Sequence, residues 1–149
     1  MREILFKAKR KDNGEWIEGS LIDLDIDSEY CYIVPPYKKA SILPINFLIT
    51  DRMKLVDPET ICQFTGLCDK NGNKIWENDI LKTWADQYAQ VKFGLYNPGS
   101  AISDYNQGFY IDFSKDSCYR HELGYWYKEA YVRGNIFDNA ELLQEKTDE

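Results

Sequence analysis

The sequence is a succession of short apolar and aromatic runs that end at turn-forming residues. Asn-Gly lies between two such runs at two places, Asn13-Gly14 and Asn71-Gly72. This dipeptide is a strong sign of a β-hairpin, because a type I′ turn needs a positive φ at both of its central residues. Most runs span about five to eight residues, the length of a strand. The pattern predicts a mainly β protein with antiparallel pairing.

The strand-like segments lie on both sides of a boundary at 56–59, where Asp57-Pro58 favours a turn. They are predicted at 3–9, 15–22, 30–34 and 41–49 before it, and at 61–67, 74–76, 79–84, 90–93, 108–113, 124–128 and 130–137 after it. A helical pattern occurs only at the end, where Asp138 or Asn139 can cap 141–146. We therefore predict one domain, 1–149, with lobes 1–56 and 57–149. It would contain antiparallel, partly open barrels and a short C-terminal helix.

Composition restricts the class of ligand. The chain has 149 residues, 44% of them hydrophobic, and this is enough to bury a core. Its net charge of −7 disfavours general nucleic-acid binding, which normally requires a basic surface. One local exception is a basic cluster near the start, which supports nucleic-acid binding by an SH3- or OB-like barrel as an alternative function: Lys7, Lys9, Arg10 and Lys11.

Two stretches place oxygen-bearing side chains at alternate positions, as cation sites do. In 69–74 the sequence DKNGNK resembles the start of an EF-hand loop, but the glycine and glutamate that such a loop requires are replaced by Lys74 and Ile80. An Asx-type turn at Asp69 explains the same residues. The run 23–29 places four acidic side chains on one face of an extended chain: Asp23, Asp25, Asp27 and Glu29. This face could bind a divalent cation or simply be exposed to solvent.

Residues typical of catalysis are few. The four cysteines form no CxxC pair, and the lone histidine, His121, would need ligands from distant parts of the chain to hold zinc. We expect reduced, mostly buried thiols at Cys31, Cys62, Cys68 and Cys118. No phosphate loop, nucleophile elbow or HExxH helix occurs in the sequence. The expectation is therefore a non-enzyme without catalytic residues, cofactor or metal.

Three stretches from both ends and the middle of the chain are distinctive: MREILFKAKRKDNGEWIEG at 1–19, VDPETICQFTGLCDKNGNKIWENDILK at 56–82 and VRGNIFDNAELL at 132–143. Together they resemble the YopX family of phage and prophage proteins. The family pattern usually has Glu-Gly-Asp at the position of Glu77-Asn78-Asp79 in this chain. Asn tolerates a positive φ, so a left-handed turn at Asn78-Asp79 is expected there as well. The segment 77–81 is also similar to the strand that opens SH3-like barrels.

The resemblance implies a β-rich protein that is encoded by a bacteriophage or prophage and has no established activity to transfer. Taken with the missing catalytic constellation, it predicts an accessory protein that binds another macromolecule. The partner would be an unidentified protein, such as a host protein, or a second copy of the chain. The first residues carry charges and no run approaches the ~20 apolar residues of a membrane span. Location in the cytoplasm of the bacterial host cell is therefore expected, without membrane association.

Overall fold

A computed structural model describes residues 1–24, 29–36, 52–83, 86–98, 104–113 and 120–144 of the chain. These residues form two compact units, Met1–Phe64 and Thr65–Glu149. The predicted strand at 41–49 lies outside the described residues. Within them the predicted mainly β class is confirmed, with antiparallel sheets that are open and a few short helical turns.

The described residues of the first unit contain four strands and the start of a fifth. They are β1 Phe6–Lys9, β2 Trp16–Asp23, β3 Cys31–Val34, β4 Lys54–Val56 and β5 Cys62–Cys68, hydrogen-bonded in the order β4-β3-β2-β1-β5. Asp57 begins the 3₁₀ helix Pro58–Thr60 by accepting a hydrogen bond from the Glu59 backbone N–H. Alternating positions bury a small core of Ala8, Cys31, Ile33 and Val56.

The second unit continues β5 into a hairpin with β6, and its described residues form a four-stranded antiparallel sheet. Its elements are β6 Lys74–Trp76, β7 Asp79–Lys82, β8 Tyr88–Tyr96, β9 Asn106–Asp112, helix α1 Leu123–Trp126, β10 Tyr131–Asn135 and the 3₁₀ helix Ala140–Leu143. The sheet order is β10-β7-β8-β9. Its core includes Ile75, Leu81, Val91, Ile111 and Trp126. No helix within the described ranges is long and apolar enough to cross a bilayer.

The predicted strand at 124–128 is wrong. Residues Leu123–Trp126 form one α-helical turn, and Tyr127 N–H donates to the Leu123 carbonyl at 3.0 Å. Trp126 is buried, packs edge-on against Phe113 and donates from Nε1 to the Arg120 carbonyl at 2.6 Å. In so short an aromatic stretch, the alternation of buried and exposed residues fits either a strand or a single helical turn. Tertiary packing of Trp126 decides the outcome.

The Asn-Gly turns also differ from the predicted type I′ geometry. Gly14 and Gly72 have positive φ values of 73° and 82°, whereas Asn13 and Asn71 are absent from the residues with positive φ. In the first turn Gly14 N–H donates to the Arg10 carbonyl, and in the second Asp69 N–H donates to the Asn73 carbonyl. Loops longer than two residues with a single left-handed glycine therefore join these strands.

Candidate functional site

Asp69 is the centre of the turn between β5 and β6. Its Oδ1 accepts hydrogen bonds from the backbone N–H groups of Asn71 and Asn73, both at 2.9 Å. Its Oδ2 accepts from the Val132 backbone N–H at 2.9 Å and from Asn73 Nδ2 at 3.4 Å. Burial alone would raise the pKa of Asp69, but these donors outweigh it and hold that pKa below its ordinary value. The carboxylate is therefore an internal support and is not available to an ion.

The same turn is bound to β10 on both sides of Tyr131. Lys70 N–H donates to the Ala130 carbonyl at 3.1 Å, and the Val132 N–H donates to Asp69. These two bonds bring the Lys70 side chain to Tyr131, with Nζ 5.6 Å from the centre of the ring. The stretch 69–73 therefore reverses the chain and also positions the Lys70 side chain beside Tyr131.

A row of side chains crosses three strands next to this turn. Lys82 on β7 lies opposite Tyr131 on β10 and opposite Tyr88 on β8, so the three side chains share one face of the sheet. Lys82 Nζ is 5.9 Å from the Tyr88 ring centre, a cation–π distance. Lys82 also forms an ion pair of 2.7 Å with Asp86, whose side chain is 81% exposed. The hydrogen bond from Lys82 to the Asp86 carboxylate raises the pKa of Lys82.

A β-bulge brings a third cation to the row. The pairing of β10 with β7 shifts between Val132 and Gly134, which leaves Arg133 as the extra residue. The guanidinium carbon of Arg133 lies 5.3 Å from the Tyr131 ring centre. We refer to the set Lys70, Lys82, Tyr88, Tyr131 and Arg133 as the basic–tyrosine row.

A second feature lies on the other side of β8. Residues 89, 91, 93 and 95 alternate onto one face, and that face runs from the buried Ala89 and Val91 to Phe93 and Leu95, which are 51% and 70% exposed. Phe93 lies opposite Phe109 of β9, with ring centres 4.9 Å apart. We call Phe93, Leu95 and Phe109 the hairpin face. It extends the apolar surface of the core into solvent.

The predicted nucleic-acid residues lie on β1 and in the turn that follows it. Lys7 and Lys9 place their Nζ atoms 4.7 and 5.5 Å from the Trp16 ring centre. Arg10 forms an ion pair with Asp12, and Lys11 Nζ is 3.5 Å from the Glu29 carbonyl oxygen. The hydrogen bond from Arg10 holds the pKa of Asp12 below its ordinary value. The cluster therefore includes a lysine–tryptophan surface, with part of its charge compensated.

Several hydrogen bonds fix the predicted turn at Asn78-Asp79. Asn78 has a φ of 69°, donates from its N–H to the Val91 carbonyl at 2.8 Å and accepts from Gln90 Nε2 at its side-chain oxygen. Asp79 is buried and accepts from the Trp76 N–H at 2.9 Å. These bonds fix the start of β7, and with it the position of Lys82.

The other candidate residues are the acids of 23–29, the histidine and the cysteines. Asp25, Asp27 and Cys118 lie outside the described residues, and within the described ranges no group of three or more His, Cys, Asp or Glu could hold a metal ion. The cation hypothesis for 23–29 stays a prediction. His121 Nδ1 lies 2.9 Å from the Ile111 carbonyl oxygen, which can only accept a hydrogen bond. Cys31 and Cys62 are buried and Cys68 is exposed, so two of the three cysteines in the described residues fit the expected mostly buried thiols.

The sequence reasoning missed both surfaces. The row depends on the registers of β7 with β8 and β10 and on the bulge at Arg133, and no local pattern reports these. For the hairpin face a signal was present: Val91, Phe93 and Leu95 alternate over a run that continues past the predicted strand 90–93. A predicted strand that extended past residue 93 would have indicated apolar side chains beyond those that the core buries.

Comparison with known proteins gives a family match over nearly the whole chain. The family model described as YopX protein matches residues 5–144. The crystal structure of protein EF1440 from Enterococcus faecalis is similar at 24% sequence identity and a TM-score of 0.49, with 97% of this chain and 100% of that chain covered. The comparison with curated proteins gives no match. The family match includes residues of both compact units.

Proposed function

This chain belongs to the YopX family, and from that premise we propose that it is a non-catalytic binding module of a bacteriophage or prophage. In this proposal it holds a partner protein in the cytoplasm of the bacterial host cell. The partner is a host protein or a second copy of the chain. The observation that carries the proposal is the hairpin face, where the apolar side of β8 continues beyond the core.

The exposed side chains of the hairpin face suit a protein partner. Phe93 and Leu95 lie on alternate positions of one strand and present a continuous apolar surface together with Phe109. Burial of a Phe or Leu side chain contributes about 1.5–3 kcal/mol to an association. Aromatic residues in the centre of an apolar patch are also common among the residues that dominate binding energy.

The test is affinity capture of the tagged full chain from phage-infected or prophage-induced cells, with mass spectrometry of the bound proteins. We expect the double substitution Phe93→Ser/Leu95→Ser to abolish retention of a partner that the native chain retains. Light scattering of the purified chain would show whether the partner is a second copy, since the same variant would then convert a dimer to a monomer.

A matched control is available in the first unit. Leu24 and Tyr30 are also exposed, so Leu24→Ser/Tyr30→Ser removes similar apolar surface at another site. This control should retain the partner, and both variants should keep the circular dichroism spectrum of the native chain. A native chain that is strictly monomeric and captures no protein would contradict the proposal, as would equal loss of the partner in both variants.

A second candidate function is nucleic-acid binding through Lys7, Lys9, Arg10 and Lys11. The packing of Lys7 and Lys9 on Trp16 favours it, since basic residues beside an aromatic ring are typical of single-strand binding surfaces. Affinity for single-stranded DNA or RNA should fall steeply with salt concentration. A flat titration at low salt would eliminate this candidate.

A further inference from the structure

We propose that the basic–tyrosine row is a second binding site, which takes an extended acidic segment of a partner protein through its carboxylates. The row lies on the face of β8 opposite to the hairpin face, because Tyr88 and Phe93 are an odd number of residues apart. This inference therefore does not rest on the hairpin face.

The row concentrates positive charge on a small area. Tyr131, Lys82 and Tyr88 lie on three adjacent strands, which are about 4.8 Å apart, so the row is about 10 Å wide. Lys70 and Arg133 both approach the Tyr131 ring, at 5.6 and 5.3 Å. Three cations thus lie close together on one face of the sheet. Cations at short distance repel one another, and an anionic group that binds among them reduces this repulsion. An anionic partner would therefore bind with favourable electrostatic energy.

This concentration contrasts with the charge around it. Residues 65–149 contain nine Lys and Arg against 14 Asp and Glu, a net charge of −5. A nucleic acid carries a charge at every phosphate and would meet this acidic surface over its whole length. A short acidic segment would meet mainly the row, because charges beyond about 8 Å are screened at physiological salt. The charge distribution therefore favours an acidic peptide segment over a nucleic acid.

One carboxylate already occupies part of the row. Asp86 contacts Lys82 at 2.7 Å with a largely exposed side chain, and exposed ion pairs contribute little to stability. An incoming carboxylate can therefore share or replace this contact at small cost. In an extended peptide, side chains two residues apart lie about 7 Å apart on one face, so two carboxylates fit within the row.

Two hydrogen bonds from the turn between β5 and β6 to residues 130 and 132 would preorganise the site. Lys70 N–H donates to the carbonyl of Ala130, which precedes β10, and the Val132 N–H donates to the Asp69 carboxylate next to the bulge that positions Arg133. Less conformational entropy is then lost when a ligand binds.

The experiment uses the full chain and a fluorescein-labelled peptide of alternating Glu and Ser as the probe, followed by fluorescence anisotropy. We expect saturable binding that weakens with salt, and no binding of the matched Gln and Ser peptide. The substitution Lys70→Gln/Arg133→Gln should raise the dissociation constant about tenfold, equivalent to about 1.4 kcal/mol. Lys7→Gln/Lys9→Gln is the control, because it removes the same charge and also strips two cations from an aromatic ring.

Each alternative outcome overturns the inference. If labelled oligothymidylate binds more tightly than the Glu peptide, and the row variant but not the control variant weakens that binding, the row is a nucleic-acid site. If the control variant weakens Glu peptide binding as much as the row variant, net charge and not the row determines affinity. Absence of Glu peptide binding to the native chain, or equal binding of the Gln peptide, rejects the carboxylate site directly.

Discussion

The Asp69 carboxylate accepts a hydrogen bond from the Val132 backbone N–H at 2.9 Å, across 63 residues of chain. Its other oxygen holds the N–H groups of Asn71 and Asn73 in the turn between β5 and β6. One buried side chain therefore shapes the turn and fixes the turn to β10 next to the bulge at Arg133. The geometry of the basic–tyrosine row depends on this link.

Asp69→Asn should lower the free energy of unfolding by about 2 kcal/mol. The amide would keep one acceptor oxygen but would turn an NH₂ group towards a backbone N–H donor, which leaves a buried polar group unsatisfied. Urea unfolding at neutral pH measures the effect. Asp57→Asn is the control, since Asn replaces Asp well at a helix N-cap and Asp57, which accepts the Glu59 backbone N–H there, is only partly buried. Equal loss in both variants would contradict the role given to Asp69.

The stabilisation by Asp69 should depend on pH. Because hydrogen bonds to the folded carboxylate lower its pKa, the unfolded chain takes up the proton first as the pH falls. The contribution is complete above the unfolded pKa of about 3.9 and is lost as the pH falls from there through the folded value. The difference in unfolding free energy between the native chain and Asp69→Asn should thus be constant from pH 7 to about 5 and shrink below about 4. A difference that grows on acidification would reverse the assigned sign.

The bonds of Asp69 also mark the limit of sequence reasoning. Its Asx turn follows from the residue types within 69–73, because those contacts are local. Its bond to Val132 joins residues far apart in sequence, and the position of Arg133 depends on a bulge in a pairing that no single segment encodes. Most strands followed from apolar runs and turn residues, whereas α1 did not, because the burial of Trp126 against Phe113 is tertiary.

Gly72→Val should destabilise the second unit through backbone strain alone. Gly72 has a φ of 82°, and an added Cβ would meet no atom within 4 Å. The left-handed conformation costs an L-residue about 1–2 kcal/mol, and a β-branched side chain is at the unfavourable end. Gly72→Asn should cost less, since Asn tolerates this conformation. Native stability of Gly72→Val in chemical denaturation would count against the left-handed turn.

Gly19→Ala should destabilise the protein more than Gly72→Val, because an added Cβ at Gly19 would clash with neighbouring atoms. A Cβ at Gly19 would lie 2.0 Å from the Val34 carbonyl oxygen and 2.6 Å from its carbon, both backbone atoms of the neighbouring strand β3. Relief requires β2 and β3 to move apart, so we expect a loss of about 3 kcal/mol or more in the first unit. Thermal unfolding followed by circular dichroism would measure it.

Gly108 supplies the matched control for this close approach. Its φ of 158° is nearly the same as the 159° of Gly19, but a Cβ there would meet no atom within 4 Å. Because the two φ values are nearly equal, the difference in stability between the two alanine variants reports mainly the clash with Val34. We expect Gly108→Ala to be more stable than Gly19→Ala by about 2 kcal/mol, the typical cost of overpacking. Equal stability of the two variants would show that β2 and β3 do not approach as closely at Gly19 as described.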